Sequence, residues 1–138
     1  MRMVAPASPA LSREDIVRLV DAFYDKVRRD AVLGPVFNPV VHDWPAHKAR
    51  LVQFWTSVAL GTREYRGNPM AVHRPLPIDD SHFGRWLGLW RGTLTEVLAA
   101  EPAQEMYEHA LRIATSLRYG MGLDQSRLRN LHLPIVNL

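Results

Sequence analysis

The sequence contains no cysteine among its 138 residues. This absence excludes disulfide bonds, thiolate metal sites, iron–sulfur clusters and a cysteine nucleophile. No stretch approaches the roughly 20 apolar residues that a membrane span needs. The apolar N-terminal stretch is interrupted by Pro6 and Pro9, which is not typical of a secretory signal. We therefore expect a soluble, cytoplasmic protein with no membrane partner.

Positive charge is neither abundant nor concentrated. The 17 Lys and Arg residues exceed the 14 Asp and Glu residues by a net charge of +3, and no run of five basic residues occurs. Nucleic-acid-binding proteins cluster basic residues on one face, so we expect no nucleic-acid partner. The hydrophobic content of 47% with four tryptophans instead predicts a folded globular domain.

The sequence motifs of common enzymes are also absent. There is no glycine-rich phosphate loop, no GxSxG and no HExxH. No two histidines are spaced three or four residues apart on a helix, so a multi-histidine zinc or di-iron site is not supported. Any metal site would therefore have to use a single histidine. The six histidines are His42, His47, His73, His82, His109 and His132.

Apolar residues over positions 16–27 recur every three or four residues, which predicts a first helix. Ser12 and Asp15 resemble a capping box at its start. Tyr24 lies on its inward face. We expect Gly34-Pro35 to end this segment.

A second helix is predicted to begin at Asp43, with Pro45 in its first turn, and to end at Gly61. His47 lies one turn before Leu51 on the inward stripe. The predicted buried face consists of Leu51, Phe54, Trp55 and Val58.

An irregular stretch is expected over residues 61–78, and loops of this length are usually functional. It contains the sequence PMAVHRPLP, in which His73 follows three apolar residues and precedes Pro75 and Pro77. Prolines at this density cannot continue a helix. The pattern predicts a rigid, non-helical segment that holds a metal-competent side chain.

Two further helices complete the prediction. The third is capped by Asp79 or Asp80, and the fourth runs from Pro102 to about Gly120. The inward residues of the third are Phe83, Trp86, Leu87, Trp90, Leu94, Val97 and Leu98.

The chain shows no strand alternation and no repeats, so the predicted fold class is all-α. We expect one domain over residues 12–123. A flexible N-terminal tail (1–11) and a C-terminal tail (124–138) flank it. The C-terminal tail has no helical period.

Three hydrogen-bonding side chains from three predicted helices face inward, namely Tyr24, His47 and Trp86. Each alone is compatible with an ordinary buried polar group that has a local partner, and His73 alone with a turn cap. Together these side chains need either one shared polar ligand or a separate buried hydrogen-bond partner for each. A haem fits this inventory, because it needs an apolar pocket and one neutral imidazole. Candidate walls are Phe23, Phe37, Leu51, Phe54, Phe83 and Trp86.

Two other functions remain open on the residues alone. One is a haem-free helical interaction module that docks through Trp44, Trp90 and the apolar C-terminal tail. The other is a haem chaperone that passes its haem to an acceptor. His82 is expected to be exposed or to cap a helix, or else to lie near His73.

Four separated motifs resemble those of the truncated haemoglobins, in family order and with family spacing, over about residues 13–122. They are FYDKVRRDAVLGPVFN (23–38), HKARLVQFW (47–55), NPMAVHRPLP (68–77) and HFGRWLGLW (82–90). The chain is most similar to group III of that family. The resemblance implies an all-α, two-over-two helical sandwich around haem b.

The resemblance also implies roles for individual residues. His73 matches the proximal iron ligand and is the one predicted metal ligand. Tyr24, His47 and Trp86 match the distal residues that contact the bound ligand and would carry any catalysis. The residues expected to hold the cofactor are His73, Phe37, Arg50, Leu51, Phe54, Phe83 and Trp86, with Arg50 near a haem propionate.

The implied function is a haem-binding globin that reversibly binds O₂, NO, CO or peroxide. Hydrogen-bond donors in a dry pocket slow the release of such ligands, which suits scavenging, sensing or NO and peroxide chemistry better than bulk O₂ transport. An NO dioxygenase-like or peroxidase-like activity would need a separate reductase, since the sequence carries no reductase domain. Nothing in it specifies an oligomeric state.

Overall fold

The computed structural model describes residues 10–123, and all regular secondary structure in this range is helical. The predicted tails lie outside these residues, apart from positions 10 and 11. The helices are α1 (Arg13–Arg29), α2 (Gly34–Phe37), α3 (Trp44–Leu60), α4 (Pro69–His73), α5 (Asp80–Val97) and α6 (Ala100–Gly120).

Helix α1 begins with the predicted capping box. The backbone N–H of Asp15 donates to Ser12 Oγ at 3.1 Å, and the Ser12 N–H donates to Asp15 Oδ2 at 3.0 Å. The predicted end at Gly34-Pro35 is wrong, because α1 ends at Arg29. Asp30 is extended, and its carboxylate accepts the N–H groups of the residues that lead into α2. Gly34 and Pro35 therefore begin a helix, and proline is well tolerated in a first turn.

Helix α3 has the predicted ends. Asp43 accepts the backbone N–H of Ala46 at 3.1 Å, and Gly61 terminates the helix in the left-handed region with φ of 70°. This φ favours glycine, which has no Cβ.

Helix α4 corrects the prediction of a wholly irregular stretch over residues 61–78. Pro69 occupies the first turn, where its missing N–H is not needed, and Asn68 Oδ1 accepts the backbone N–H of Ala71 at 3.2 Å. His73 is the last helical residue. Pro75 and Pro77 follow the helix and do not interrupt it.

The long helices form two layers. Helix α1 contacts α3 and α5, and α5 packs on α6, so that the α1/α3 pair faces the α5/α6 pair. Phe23, Trp55 and Trp90 are at most 1% exposed at the centre of this core. The expected all-α, two-over-two arrangement is confirmed. Within residues 10–123, no helix combines the length and the apolar character that crossing a membrane requires.

Candidate functional site

A cavity of about 630 Å³ opens between the helices, within the range of about 300 to 1,000 Å³ that cofactor and ligand pockets occupy. The side chains around it come from all six helices, from the segments that flank α4 and from the connection between α2 and α3. They include every predicted site residue, namely Tyr24, Phe37, His47, Arg50, Leu51, Phe54, His73, Phe83 and Trp86.

His73 lies half-buried at the cavity wall with its ring oriented by its own helix. Its Nδ1 is 2.7 Å from the carbonyl oxygen of Pro69, one turn earlier. A carbonyl only accepts hydrogen bonds, so Nδ1 is the donor and Nε2 is the nitrogen left for a metal. Histidines that bind metals are fixed in this way by a second hydrogen bond. His73 thus has one imidazole nitrogen, Nε2, that this hydrogen bond does not engage.

Tyr24 is 8% exposed, and its hydroxyl lies between aromatic donors. The indole Nε1 of Trp55 donates to the Tyr24 oxygen at 3.4 Å. Burial raises the pKa of Tyr24, and hydrogen bonding by Trp55 and Trp86 only partly opposes this rise. The phenol therefore stays protonated at physiological pH, and its own proton is available to donate while its oxygen accepts.

His47 is half-buried at the N-terminal end of α3. Trp44 contacts it edge to face, with ring centroids 5.5 Å apart. Burial lowers the pKa of His47 below 6.5, and the nearby charges of Arg50 and His73 act in the same direction. The imidazole is therefore neutral at pH 7. Arg50 is exposed at the cavity rim.

The aromatic walls differ in part from the prediction. Phe23 does not line the cavity, because it is fully buried behind it. Its ring contacts Tyr24, Trp86 and Trp90 edge to face at 4.6, 5.6 and 4.8 Å. Phe23 thus supports the site from the core.

The hydrogen bond between Trp55 and Tyr24 is the contact at the site that the sequence did not reveal. The sequence predicts that Trp55 faces inward, but its hydrogen bond to Tyr24 joins two residues on different helices that are 31 positions apart in the chain. Tyr65 also lines the cavity from the segment before α4. No periodic pattern in that segment could have indicated it.

His82 has the capping role that was one of its expected roles. The backbone N–H of Asp79 donates to His82 Nδ1 at 3.0 Å, which completes the capping box of α5, and the ring also lines the cavity. His82 Nδ1 also lies 3.1 Å from the carboxylate oxygen Oδ1 of Asp79.

These features fit a haem better than a metal ion held by several side chains. Among residues 10–123, no three His, Cys, Asp or Glu side chains gather into a metal-binding group. A haem brings four nitrogen ligands of its own and needs one imidazole from the protein and an apolar pocket, and His73 and the aromatic walls provide both. Trp90 is 0% exposed, so it cannot form part of the docking surface expected for a haem-free interaction module.

Known proteins resemble this chain in sequence and in fold. The family model of the bacterial-like globins matches residues 12–120. The group 3 truncated haemoglobin of Campylobacter jejuni is 34% identical over 110 residues, which cover 76% of this chain and 87% of that protein. The group 2 truncated haemoglobin YjbI of Bacillus subtilis is 31% identical over 91 residues, which cover 64% of this chain and 68% of that protein.

Solved structures agree with these matches. The crystal structure of the group III truncated haemoglobin from Campylobacter jejuni superposes with a TM-score of 0.77 at 33% identity, covering 80% of this chain and 91% of that one. A thermostable haemoglobin from the actinobacterium Thermobifida fusca gives a TM-score of 0.67 at 28% identity, covering 77% and 89%. The chain therefore belongs to the bacterial-like globins, as a haem-binding truncated haemoglobin most similar to group III.

Proposed function

We propose that the cavity binds haem b, that His73 Nε2 would hold the iron, and that O₂ and other diatomic ligands would bind on the side of Tyr24 and Trp86. The observation that carries this proposal is the hydrogen bond from His73 Nδ1 to the Pro69 carbonyl. It leaves Nε2 free and fixes the ring. When bound, the haem supplies an iron that takes one ligand from the protein and one diatomic molecule.

The side chains on the distal side act as preorganised donors. The Tyr24 oxygen accepts from Trp55, which directs its O–H away from that indole. Trp86 lines the same cavity with an indole N–H. Donors that are already oriented in a water-poor pocket stabilise charge on a ligand without reorganising. One such hydrogen bond is worth about 1 to 3 kcal/mol, and about 1.4 kcal/mol corresponds to a tenfold change in dissociation.

His47 and Arg50 have different roles in this proposal. His47 is neutral and lies beside Trp44, so it serves as a third donor or as a gate at the distal entrance. Arg50 at the rim pairs with a haem propionate, as a fixed positive charge does with a carboxylate. Phe37, Leu51, Phe54 and Phe83 contribute the apolar walls.

Slow ligand release suits scavenging, sensing or the conversion of NO or peroxide. Polar distal donors also help to polarise an O–O bond, which supports a peroxidase-like activity alongside an NO dioxygenase-like one. Either activity requires electrons from a separate reductase. The partners of the protein would then be small gaseous ligands and that reductase.

The test is a titration of the purified protein with hemin, followed by visible spectra with O₂, CO and NO. We expect a Soret band in the wild type and loss of His73 coordination in His73→Ala. His42→Ala is the control, because His42 is exposed and does not line the cavity. A protein that takes up no hemin would overturn the proposal, and rapid haem transfer to an apo-globin would favour a haem chaperone.

A further inference from the structure

Three of the four tryptophans form one cluster of nearly parallel rings, which we call the stack. The ring centroids of Trp55 and Trp90 are 4.4 Å apart, and those of Trp86 and Trp90 are 5.7 Å apart. The planes of these pairs differ by 25° and 6°. Trp44 lies outside the stack, with its ring edge-on to His47. Indole rings are among the most easily oxidised side chains, and stacking places three of them in contact.

The stack leads from the cavity into the core. Trp55 and Trp86 line the cavity, whereas Trp90 does not line it and is 0% exposed. The Trp90 Nε1 donates to the carbonyl oxygen of Met106 at 3.1 Å. Trp90 is therefore in contact with both cavity-lining indoles while water is excluded from it.

We propose that this stack, with Trp90 as its inner member, donates an electron to the haem site when hydrogen peroxide reacts there. One of the two oxidising equivalents of peroxide would then be held in the core as a tryptophan cation radical. This inference rests on the proposed function, because a haem must occupy the cavity. It adds an electron-storage role to side chains that would otherwise be only structural.

The electrons and atoms of this step balance. Hydrogen peroxide takes up two electrons and two protons and gives two molecules of water. One electron comes from the haem iron and the second from the stack, and the protons come from solvent. A one-electron reductant of the class already required for turnover then supplies two electrons in two steps, one to the stack and one to the iron.

Tyr24 is the competing electron donor, because its hydroxyl contacts Trp55. Oxidation of a phenol to a stable radical requires loss of its proton. In the part of the chain that the structure describes, the hydrogen bonds at the Tyr24 oxygen come from indole donors, and no base accepts its proton. An indole can instead be oxidised to a cation radical with its N–H intact. The Met106 carbonyl on the Trp90 N–H stabilises that positive charge.

Isotope labelling of the unmutated protein identifies the radical. Haem-loaded protein is mixed with hydrogen peroxide, frozen rapidly and examined by electron paramagnetic resonance. Three samples are compared, which carry ordinary residues, ring-deuterated tryptophan or ring-deuterated tyrosine. We expect the radical signal to narrow with deuterated tryptophan and to remain unchanged with deuterated tyrosine. The opposite pattern, or no protein radical, overturns the inference.

Two matched variants locate the radical among the four tryptophans. Trp90→Phe is expected to lose most of the tryptophan signal, while the Soret band still changes on addition of peroxide. Trp44→Phe removes the indole outside the stack and is expected to keep the full signal. An unchanged signal in Trp90→Phe, or its loss in Trp44→Phe, overturns the inference.

The remaining outcomes are also decisive. If Trp90→Phe does not fold, the labelling of the unmutated protein together with Trp44→Phe decides the question. A normal Soret band without a tryptophan radical overturns the electron-storage role alone. Absence of a Soret band overturns the proposed function and this inference with it.

Discussion

The two sides of the cavity are built in opposite ways. Tyr24 and Trp86 lie on long helices whose inner faces form the core. His73 lies on α4, a five-residue helix in which no residue is buried. The Tyr24 and Trp86 side, which would contact a diatomic ligand, is thus part of the hydrophobic core. The His73 side, which would hold the iron, is a short helix outside that core.

This difference follows from what each side has to do. Donors toward a bound ligand must be placed to within a fraction of an ångström, and rigid packed helices achieve this. An axial ligand needs a fixed ring orientation, which the local hydrogen bond between His73 and Pro69 already provides. Mutations on the two sides should therefore affect different properties, stability on one and haem retention on the other.

The largest effect on stability is expected from Phe23→Ala. Phe23 is fully buried and contacts three aromatic rings, so its truncation should lower the free energy of unfolding by about 3 to 5 kcal/mol. Val72→Ala on α4 is the counterpart, since Val72 is 57% exposed, and should change it by no more than about 0.5 kcal/mol. Urea unfolding of the haem-free proteins measures both. Equal losses would show that α4 belongs to the same cooperative core.

The next largest effect is expected on ligand release. Tyr24→Phe removes one hydroxyl and about 1 to 3 kcal/mol of hydrogen bonding, so O₂ should dissociate roughly tenfold to a hundredfold faster. Tyr65→Phe removes the same atom from the other cavity-lining tyrosine and should leave the rate nearly unchanged. Stopped-flow dissociation from the haem-loaded proteins compares them. Equal rates in Tyr24→Phe and the wild type would refute the donor role.

Removing one helix N-cap on each side of the cavity should separate global stability from haem retention, since each removal costs a similar free energy. A lost N-cap costs about 1 kcal/mol. Ser12→Ala should lower the global stability of the protein by that amount and leave haem loss unchanged. Asn68→Ala should instead fray α4, accelerate haem transfer to an apo-globin acceptor and leave urea unfolding of the haem-free protein almost unchanged. Haem loss that is accelerated equally by both variants would contradict the comparison.

The smallest effect is a pH dependence from His47. Its pKa is lowered in the folded protein, so the unfolded chain binds more protons as the pH falls through 6.5. The stabilisation is therefore complete above about pH 6.5 and declines as the pH falls through the lower folded-state pKa. His47→Gln should show a weaker decline in the haem-free protein between about pH 7.5 and pH 5.5, measured by urea unfolding. A steeper decline in the variant would show that the sign is wrong.

The sequence predicted most of the long helices because their ends depend on local chemistry. Ser12, Asp15, Asp43 and Gly61 act within one turn of themselves, and the structure places them as expected. The prediction of an irregular stretch is wrong at Pro69, because proline interrupts a helix but is also well tolerated in the first turn, where Pro69 lies. The periodicity also omitted two buried residues of α3, Val52 and Thr56.

The candidate site was predictable as a set of residues but not as a set of contacts. Periodicity placed Tyr24 and Trp86 inward, and the four motifs indicated His73 among six histidines. The Trp55–Tyr24 hydrogen bond and the tryptophan stack depend on how three helices pack. Such contacts between distant parts of a chain leave no periodic trace in one sequence.

Gly120, the last residue of α6, lies against the helix that carries His73. A Cβ at this position would meet the end of the Met70 side chain, which belongs to α4. The flexible thioether can move aside, so a methyl group at position 120 would cost little stability. It would nevertheless change how Met70, and with it α4, packs on the end of α6. In the proposed haem complex, residue 120 would therefore act on the position of His73 from outside the cavity, which offers a way to tune reactivity without altering any residue that lines it.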